Sequence, residues 1–303
     1  MFKKCITIAF ISALVFALTA CGGVAKDGAV ESPTFEIPIP VASGINVAKN
    51  DIASIDHSNL HDGYIIVEYF GGLEVKHRVL VTAPHEETYV YTLNGNGFPE
   101  VIPLAEGEGT YEIGVYENLS GDSYTEVLST TIEVKFEDEH APFIRPNQFV
   151  NYSKESNLVE VAAGVISDTA SVKEKIVTIY DFVVDNFTYD YDLAATVPTG
   201  YLPNLDEVLN LKKGICFDYS ALVTAMLRSQ GVPVKLDIGW YYDEYHAWIS
   251  IFCEENGWLD HRYHHDGDEW NMLDPTFDSG ENVKHRSRLH ARDDDEYQII
   301  FNY

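Results

Sequence analysis

Apolar residues recur at every second position between residues 45 and 137, in short runs rich in aromatic and β-branched side chains. Glycine-rich turn sequences such as Gly71-Gly72 separate these runs, and helical spacing is absent between them. Five or more strands at this spacing are typical of a sandwich of two antiparallel sheets, and we expect an immunoglobulin-like one. The predicted strands lie within Tyr64–Tyr69, His77–Val81, Thr88–Leu93, Tyr111–Tyr116 and Val127–Phe136.

The hydrophobic period becomes helical after a proline-containing junction at residues 138–155. Ser156 precedes one helical run, and Ser171 with Glu174 forms a capping box ahead of a second. A further helix is predicted to begin at or near Cys216 and to end at Gly231, which suits a left-handed position after a helix. We therefore predict a second domain over residues 138–303.

Two alternating stretches follow that helix, at residues 234–239 and 246–253. Alternation places His246 and Trp248 on one face of the second strand, and we expect this face to be exposed. Cys253 falls on the opposite face, so we predict that it belongs to the core and disfavour a disulfide between it and Cys216.

The first residues have the pattern of an export signal. Lys3 and Lys4 precede an apolar run that is short for a membrane span. Leu18-Thr19-Ala20-Cys21 then resembles a bacterial lipobox, in which the cysteine is acylated after cleavage. We expect a signal peptide at 1–20, a lipid anchor in the bilayer at Cys21 and a flexible tether at 21–44, which place the chain on the extracytoplasmic face of the cell membrane. An ordinary cleavable signal followed by a chance cysteine is the alternative.

Composition narrows the class of protein. A chain of 303 residues with 46% apolar residues is long enough for two domains and too apolar for intrinsic disorder. Its 20 Lys and Arg against 48 Asp and Glu give a formal net charge of -28 and argue against nucleic acid as a partner. If Cys5 leaves with the signal and Cys21 is acylated, two of the four cysteines remain, too few for a disulfide scaffold.

Three residues in the second domain have the chemistry of nucleophilic catalysis. Cys216 is predicted at a helix start, where the helix dipole and free N–H groups favour a thiolate. His246 follows on a strand, and Asp274 precedes Pro275, which we expect to end another strand with the carboxylate at its tip. Each residue alone is more often structural. Together they have the order of a nucleophile, a base and a carboxylate that orients the base.

The same residues carry a resemblance to a known family. Gly214-Ile215-Cys216-Phe217-Asp218-Tyr219-Ser220, His246-Ala247-Trp248 and Asp274-Pro275-Thr276 resemble the three motif blocks of the transglutaminase-like superfamily. The similarity covers roughly residues 156–280. It implies a papain-related α+β core, with helices packed on an antiparallel sheet and preceded here by the all-β domain.

The resemblance also implies roles for individual residues. Cys216 would be the nucleophile, His246 the general base and acid, and Asp274 the residue that orients the imidazole. Tyr189 and Tyr201 are candidates for the donor that stabilises the oxyanion. Asp218 either caps the helix or tunes the thiol.

We therefore expect a cysteine enzyme that acts on peptide or glutaminyl amides of the cell envelope or its surroundings, without a cofactor. Hydrolysis is slightly favoured over amine cross-linking. The alternative from another class is a non-catalytic surface module for binding or adhesion. One polar cluster could hold zinc or calcium, but we interpret it as a solvated loop and assign no metal site. Its members are His261, His264, His265, Asp266, Asp268 and Glu269.

Overall fold

The structure is a computed structural model that describes residues 35–72, 74–94, 97–259, 274–279 and 297–303. It also describes the backbone of 265–266 and 269–270. The predicted signal peptide at 1–20 and the predicted acylation site Cys21 lie outside the described residues. So does most of the polar cluster between His261 and Glu269.

The N-terminal part of the described chain is all-β. Its eight strands form two antiparallel sheets of four strands, in the orders β1-β2-β3-β6 and β5-β4-β7-β8, so β5 is an edge strand. Buried residues of both sheets, for example Ile65 of the first and Val79 of the second, belong to one hydrophobic core. The strands are β1 (Val47–Lys49), β2 (Ala53–Asp56), β3 (Tyr64–Tyr69), β4 (His77–Thr82), β5 (Thr88–Tyr91), β6 (Glu100–Pro103), β7 (Gly109–Ser120) and β8 (Ser123–Val134).

Helices dominate the following segment. The predicted capping box is present, since Ser171 and Glu174 exchange hydrogen bonds at the start of α2. Helix α5 is almost entirely buried and packs against α1, α2 and the sheet described next. None of the described helices is long and apolar enough to cross a membrane. The helices are α1 (Asn157–Val165), α2 (Val172–Asn186), α3 (Tyr191–Thr196), α4 (Leu205–Leu211), α5 (Cys216–Ser229) and α6 (Pro275–Asp278).

A third four-stranded antiparallel sheet supports α5, with the strand order β13-β12-β11-β16. In its register Gly239 of β11 lies opposite His246 of β12. The predicted combination of helices with antiparallel sheet is therefore confirmed. The remaining strands are β9 (Thr188–Tyr189), β10 (Lys213–Gly214), β11 (Val234–Tyr241), β12 (Glu244–Cys253), β13 (Gly257–Leu259), β14 (His265–Asp266), β15 (Glu269–Trp270) and β16 (Tyr297–Asn302).

The described end of the predicted tether, residues 35–44, differs from a free linker. Ile37 is 6% exposed and belongs to the core. The Val41 N–H donates to the Tyr64 hydroxyl at 3.1 Å. An apolar side chain that can reach the core is more stable buried than solvated, so this segment packs on the domain.

Candidate active site

Cys216 is the first residue of α5, and its position is fixed by a cap made from the motif around it. The Asp218 carboxylate accepts the Ile215 N–H at 2.8 Å and is 1% exposed. A Cβ on Gly214 would lie 2.6 Å from the Asp218 Cβ, so only glycine fits there. Asp218 therefore caps the helix, which was one of its two predicted roles, and the Gly-x-Cys-x-Asp spacing has a steric cause.

The two tyrosines predicted as oxyanion donors lie in different environments. The Tyr201 hydroxyl donates to Asp218 Oδ1 at 2.8 Å and is therefore engaged with the cap. Burial raises the pKa of Tyr189 to about 12, and the neighbouring Cys216 adds to the shift. The hydroxyl of Tyr189 therefore keeps its proton at neutral pH. Both tyrosines line the same cavity as Cys216, and Tyr201 is the one engaged with the cap. Their role as donors stays a prediction.

His246 lies on β12, with its ring between Cys216 and Asp274. Its Nε2 is 2.8 Å from Asp274 Oδ2, and the Cys216 thiol is also a hydrogen-bond partner of the ring. Since Nε2 is engaged with the carboxylate, Nδ1 is the nitrogen left for the thiol. The structure therefore brings the three predicted residues together. Their catalytic roles stay a prediction.

The expectation that the His246 face of β12 is exposed was wrong. His246 is 7% exposed and Trp248 is fully buried. The Phe277 ring lies 5.0 Å from the His246 ring, and Tyr297 packs edge-on against Trp248 at 5.0 Å. Residues near the end of the described chain cover this face. Alternation predicts which side chains share a face but not what packs on it.

The electrostatics of the buried pair favour a protonated imidazole. Burial alone lowers the pKa of His246, but Asp274 and the Cys216 thiol raise it to about 10. Burial acts to raise the pKa of Asp274, but the His246 charge and several hydrogen bonds bring it below its usual range. At neutral pH the pair is therefore an imidazolium and a carboxylate, and the positive ring lies beside the Cys216 thiol.

Asp274 is held by four hydrogen bonds. Its Oδ1 accepts the N–H groups of Thr276 and Phe277 at 3.0 and 3.3 Å, which makes Asp274 the cap of the short helix α6. Its Oδ2 accepts from His246 and from the Tyr297 hydroxyl, the latter at 2.9 Å. The sequence predicted the tip of a strand here, and the described residues show the start of a helix.

Tyr297 is a site residue that the sequence analysis missed. It lies on β16 opposite Tyr241 of β11 and is 7% exposed. Its hydroxyl reaches Asp274 only because β16 pairs with β11. No local motif marks this residue, and the signal that could have found it is the long-range strand pairing.

A cavity of about 370 Å³ opens beside the thiol. Its wall includes Cys216 and His246, while most of the other lining side chains are apolar or aromatic. Cys216 itself is partly exposed, so a substrate can approach it from this cavity. We call it the Cys216 cleft, and its lining includes Val90, Phe149, Val197, Phe217, Ile238 and Tyr245.

The second cysteine has a different environment. Cys253 is 4% exposed and belongs to the core, as predicted, and both Cys216 and Cys253 are free thiols. Among the side chains that the structure describes, no group of three or more His, Cys, Asp or Glu converges as a metal site.

The fold and the site define a class: α+β proteins with a candidate thiol site. In this site a partly exposed cysteine begins a buried helix, and a histidine and a carboxylate lie beside it. Residues 159–261 match the family model of the transglutaminase-like superfamily, which confirms the resemblance for the motif blocks around Cys216 and His246. The block at Asp274 lies beyond the matched residues. This segment is therefore similar to the core of that superfamily.

Two curated relatives share part of the chain. Uncharacterized protein YebA of Bacillus subtilis is 23% identical over 229 residues, which are 66% of this chain and 29% of YebA. UPF0252 protein MJ1282 of Methanocaldococcus jannaschii is 30% identical over 91 residues, which are 26% of each protein. The matches thus span less than a third of either relative.

Among solved structures, a candidate cysteine protease of Cytophaga hutchinsonii is similar over 77% of this chain and 69% of its own, with a TM-score of 0.36 and 13% identity.

Proposed function

We propose that the chain is a cysteine enzyme that acts on peptide or glutaminyl amides through a thioester on Cys216. The observation that carries this proposal is the arrangement of Cys216, His246 and Asp274, of which Cys216 and His246 line the Cys216 cleft. A lone cysteine, histidine or aspartate would carry no such conclusion.

In the proposed reaction the Cys216 sulfur attacks the amide carbonyl carbon, and the C–N bond breaks. The His246 imidazolium gives its proton to the leaving amine, so the acyl group remains on sulfur. Water then attacks the thioester while His246 takes its proton, which releases the carboxylic acid and the thiolate. General acid–base help of this kind gives about 10²–10⁴ in rate. Asp274 holds the ring in position through Nε2.

We favour hydrolysis slightly over transfer to an amine. Cys216 is partly exposed in a cleft that opens to solvent, so water has access to the thioester. A cross-linking enzyme must exclude water at ~55 M long enough for an amine to react.

We also propose that the enzyme is anchored to the outer face of the cell membrane through acylated Cys21. Support comes from the sequence: the apolar run ending at Leu18 and the lipobox-like Leu18-Thr19-Ala20-Cys21. Two or more acyl chains would provide the stable anchoring that a single chain does not. Palmitate labelling tests this directly: the label is expected on the wild type and absent from Cys21→Ala, and equal secretion of unlabelled protein by both would contradict it.

For the N-terminal part we propose an immunoglobulin-like sandwich over residues 45–137, followed by the catalytic domain at 138–303. The strand order supports this, because the chain changes sheets between β3 and β4, between β5 and β6, and between β6 and β7. Hydrogen exchange of the full chain should show one cooperative unit for β1 to β8 and another for the helices and the sheet that carries β12, and exchange of both parts in a single step would argue against the boundary.

Alkylation of the thiols tests the proposed activity. At about pH 6, iodoacetamide should label Cys216 much faster than buried Cys253, because only a stabilised thiolate reacts well at that pH. The advantage of Cys216 should fall in His246→Ala. Equal, slow labelling of both cysteines that His246→Ala does not change would favour the non-catalytic binding or adhesion module.

A library of glutaminyl peptides then separates the two reactions. Hydrolysis predicts conversion of glutamine to glutamate whether or not a primary amine is added. Transfer predicts an amide of the added amine as the main product. Mass spectrometry of the products with wild type and Cys216→Ala distinguishes these outcomes.

A further inference from the structure

We propose that the N-terminal sheets take part in substrate recognition: edge strand β5 forms one wall of the Cys216 cleft, and the cleft takes a bulky apolar side chain next to the attacked amide. This inference rests on the proposed function, since it concerns the substrate of the same thiol. The occupant we infer is a peptide residue with a branched aliphatic or aromatic side chain.

The first observation is the composition of the cleft wall. Val90, at the centre of β5, lines the cleft although it belongs to the all-β part of the chain. It is 45% exposed, so much of an apolar side chain faces solvent inside a concave surface. Val197 and Phe217 contribute to the same cleft from the helical part. Apolar surface gathered in a cavity beside a nucleophile is the usual form of a small-ligand site.

The second observation is that β5 is held at a fixed distance from the nucleophile. Tyr91 of β5 packs edge-on against Phe149 at 5.7 Å, and Phe149 in turn lies 5.8 Å from Phe217. Phe217 is the residue after Cys216. A chain of aromatic contacts therefore connects the β5 wall to the start of α5, and a wall held in this way can discriminate between side chains.

Hydrogen bonds support the same placement. The Gln148 side chain donates to the Thr92 carbonyl at 2.8 Å, just beyond the end of β5. The Asn302 N–H, on β16, donates to the Tyr89 hydroxyl at 3.2 Å. The edge strand of the N-terminal sheet thus contacts both the junction segment and the sheet that carries His246.

The third observation is the distribution of polarity within the cleft. Cys216 and His246 mark the part of the wall where an amide carbonyl must lie in order to react. Ile238 and Val90 line other parts of the same wall. A cavity of about 370 Å³ has room for one large side chain together with the reactive amide. An apolar side chain fits this surface, and a carboxylate placed against the apolar part of the wall would lose hydration.

Peptidyl vinyl sulfones that differ only in the residue next to the reactive group provide the test. Leu, Ala and Asp versions are compared with the wild type and with Val90→Asp and Val90→Ala. Val47→Asp is the matched control, because Val47 is a similarly exposed strand valine outside the cleft lining. Mass spectrometry measures labelling of Cys216, and each rate is divided by the iodoacetamide rate of the same variant.

We expect the Leu probe to label the wild type about tenfold faster than the Ala probe, because burying the larger side chain contributes to binding. Val90→Asp should reduce this ratio to about threefold or less, with Val90→Ala between the two, while Val47→Asp keeps the full ratio. No preference for Leu, or a preference that survives Val90→Asp, would overturn the inference while iodoacetamide labelling still supports a reactive thiol. Failure of iodoacetamide to label Cys216 ahead of Cys253 would instead refute the proposed function, and this inference with it.

Discussion

The functional side chains at the two ends of helix α5 differ in exposure and in what they contact. At the N-terminal end, Cys216 is partly exposed, borders the Cys216 cleft and lies beside His246. In the last turn, Arg228 is fully buried and donates hydrogen bonds to three backbone carbonyls at 2.6–3.0 Å. These carbonyls belong to Arg145, Val234 and Tyr303.

The helix dipole favours an anion at the N terminus and a cation such as Arg228 at the C terminus. The two side chains differ in the groups that they contact. The donors of Arg228 are directed at backbone groups from three separate segments, so that end connects the fold. The thiol of Cys216 faces a cavity and one imidazole, so this end is available to a substrate. The two ends, whose fields have opposite sign, thus support a structural role at the C terminus and a candidate reactive role at the N terminus.

The largest effect on activity should come from removing the sulfur of Cys216 at the N-terminal end of α5, which we call the open end. Cys216→Ala should abolish turnover, a loss of about 10⁵-fold or more, because no other group can form the acyl intermediate. Its unfolding free energy should change by less than about 1 kcal/mol, since the position is partly exposed and alanine favours helix. Turnover of glutaminyl peptides and urea denaturation measure the two quantities.

Cys253→Ala is the matched control for that variant. The thiol there is buried in the core, so its loss should cost about 1 kcal/mol and leave the reaction intact. If the two variants lost activity equally, the assignment of Cys216 as the nucleophile would be wrong.

At the C-terminal end of α5, a substitution should lower stability and leave the reactivity of the Cys216 thiol intact. Arg228→Met should destabilise the fold by about 3 kcal/mol or more, because three buried carbonyls lose a charged donor. Burial lowers the pKa of Arg228 to about 10, so the guanidinium is still protonated at neutral pH. Iodoacetamide labelling of the folded fraction should still select Cys216 over Cys253.

Arg78→Met serves as the control for this stability measurement. Arg78 is exposed and lies 4.8 Å above the Tyr124 ring, a contact that contributes less than about 1 kcal/mol. Equal losses of unfolding free energy in the two arginine variants would mean that the buried hydrogen bonds of Arg228 contribute no more to stability than the exposed contact of Arg78.

The comparison also shows what the sequence could predict. The start of α5 and the capping function of Asp218 follow from neighbouring residues, because Gly214 makes room for the cap. The alternation of β12 likewise predicted that His246 and Trp248 share a face, and their rings are stacked at 5.9 Å. These features depend on short-range geometry, which spacing along the chain records.

What the sequence could not predict depends on distant segments. The burial of His246 results from residues around Phe277 and Tyr297, and the β5 wall of the cleft comes from a strand about 125 residues before Cys216 in the chain. Helical or strand period carries no information on such pairings. The contact of Tyr297 with Asp274 belongs to the same group.

A smaller effect, spread over pH, should appear in the stability of the buried pair. The pKa of His246 is raised from 6.5 to about 10 in the folded protein. Below pH 6.5 both the folded and unfolded states hold the proton, so the contribution of the pair to stability is complete. As pH rises from there towards about 10, the unfolded state alone releases its proton and the contribution declines.

Wild type and His246→Gln should therefore differ most in unfolding free energy at about pH 6, and the difference should shrink by about pH 9.5. Urea denaturation across this range measures it. Asp274 acts in the opposite direction, because its pKa is lowered: its contribution is present above its usual pKa and is lost as the solution becomes more acidic. A difference that grows between neutral and alkaline pH would contradict a protonated His246 in the folded state.

The mildest variant tests how Asp274 is positioned at the open end of α5. Tyr297→Phe removes one of the two donors to Asp274 Oδ2 and leaves the ring in place. Because the carboxylate then orients His246 less firmly, we expect kcat to fall about tenfold with KM little changed. The acid limb of the pH–rate profile should also move to higher pH, since the lost hydrogen bond had lowered the pKa of Asp274. Tyr116→Phe removes an exposed tyrosine–carboxylate bond of 3.2 Å between β7 and Glu126, away from the site, and should change neither quantity. A fall in stability for Tyr297→Phe without any shift of the acid limb would reduce Tyr297 to a packing residue, and the open end of α5 would then depend on His246 and Asp274 alone.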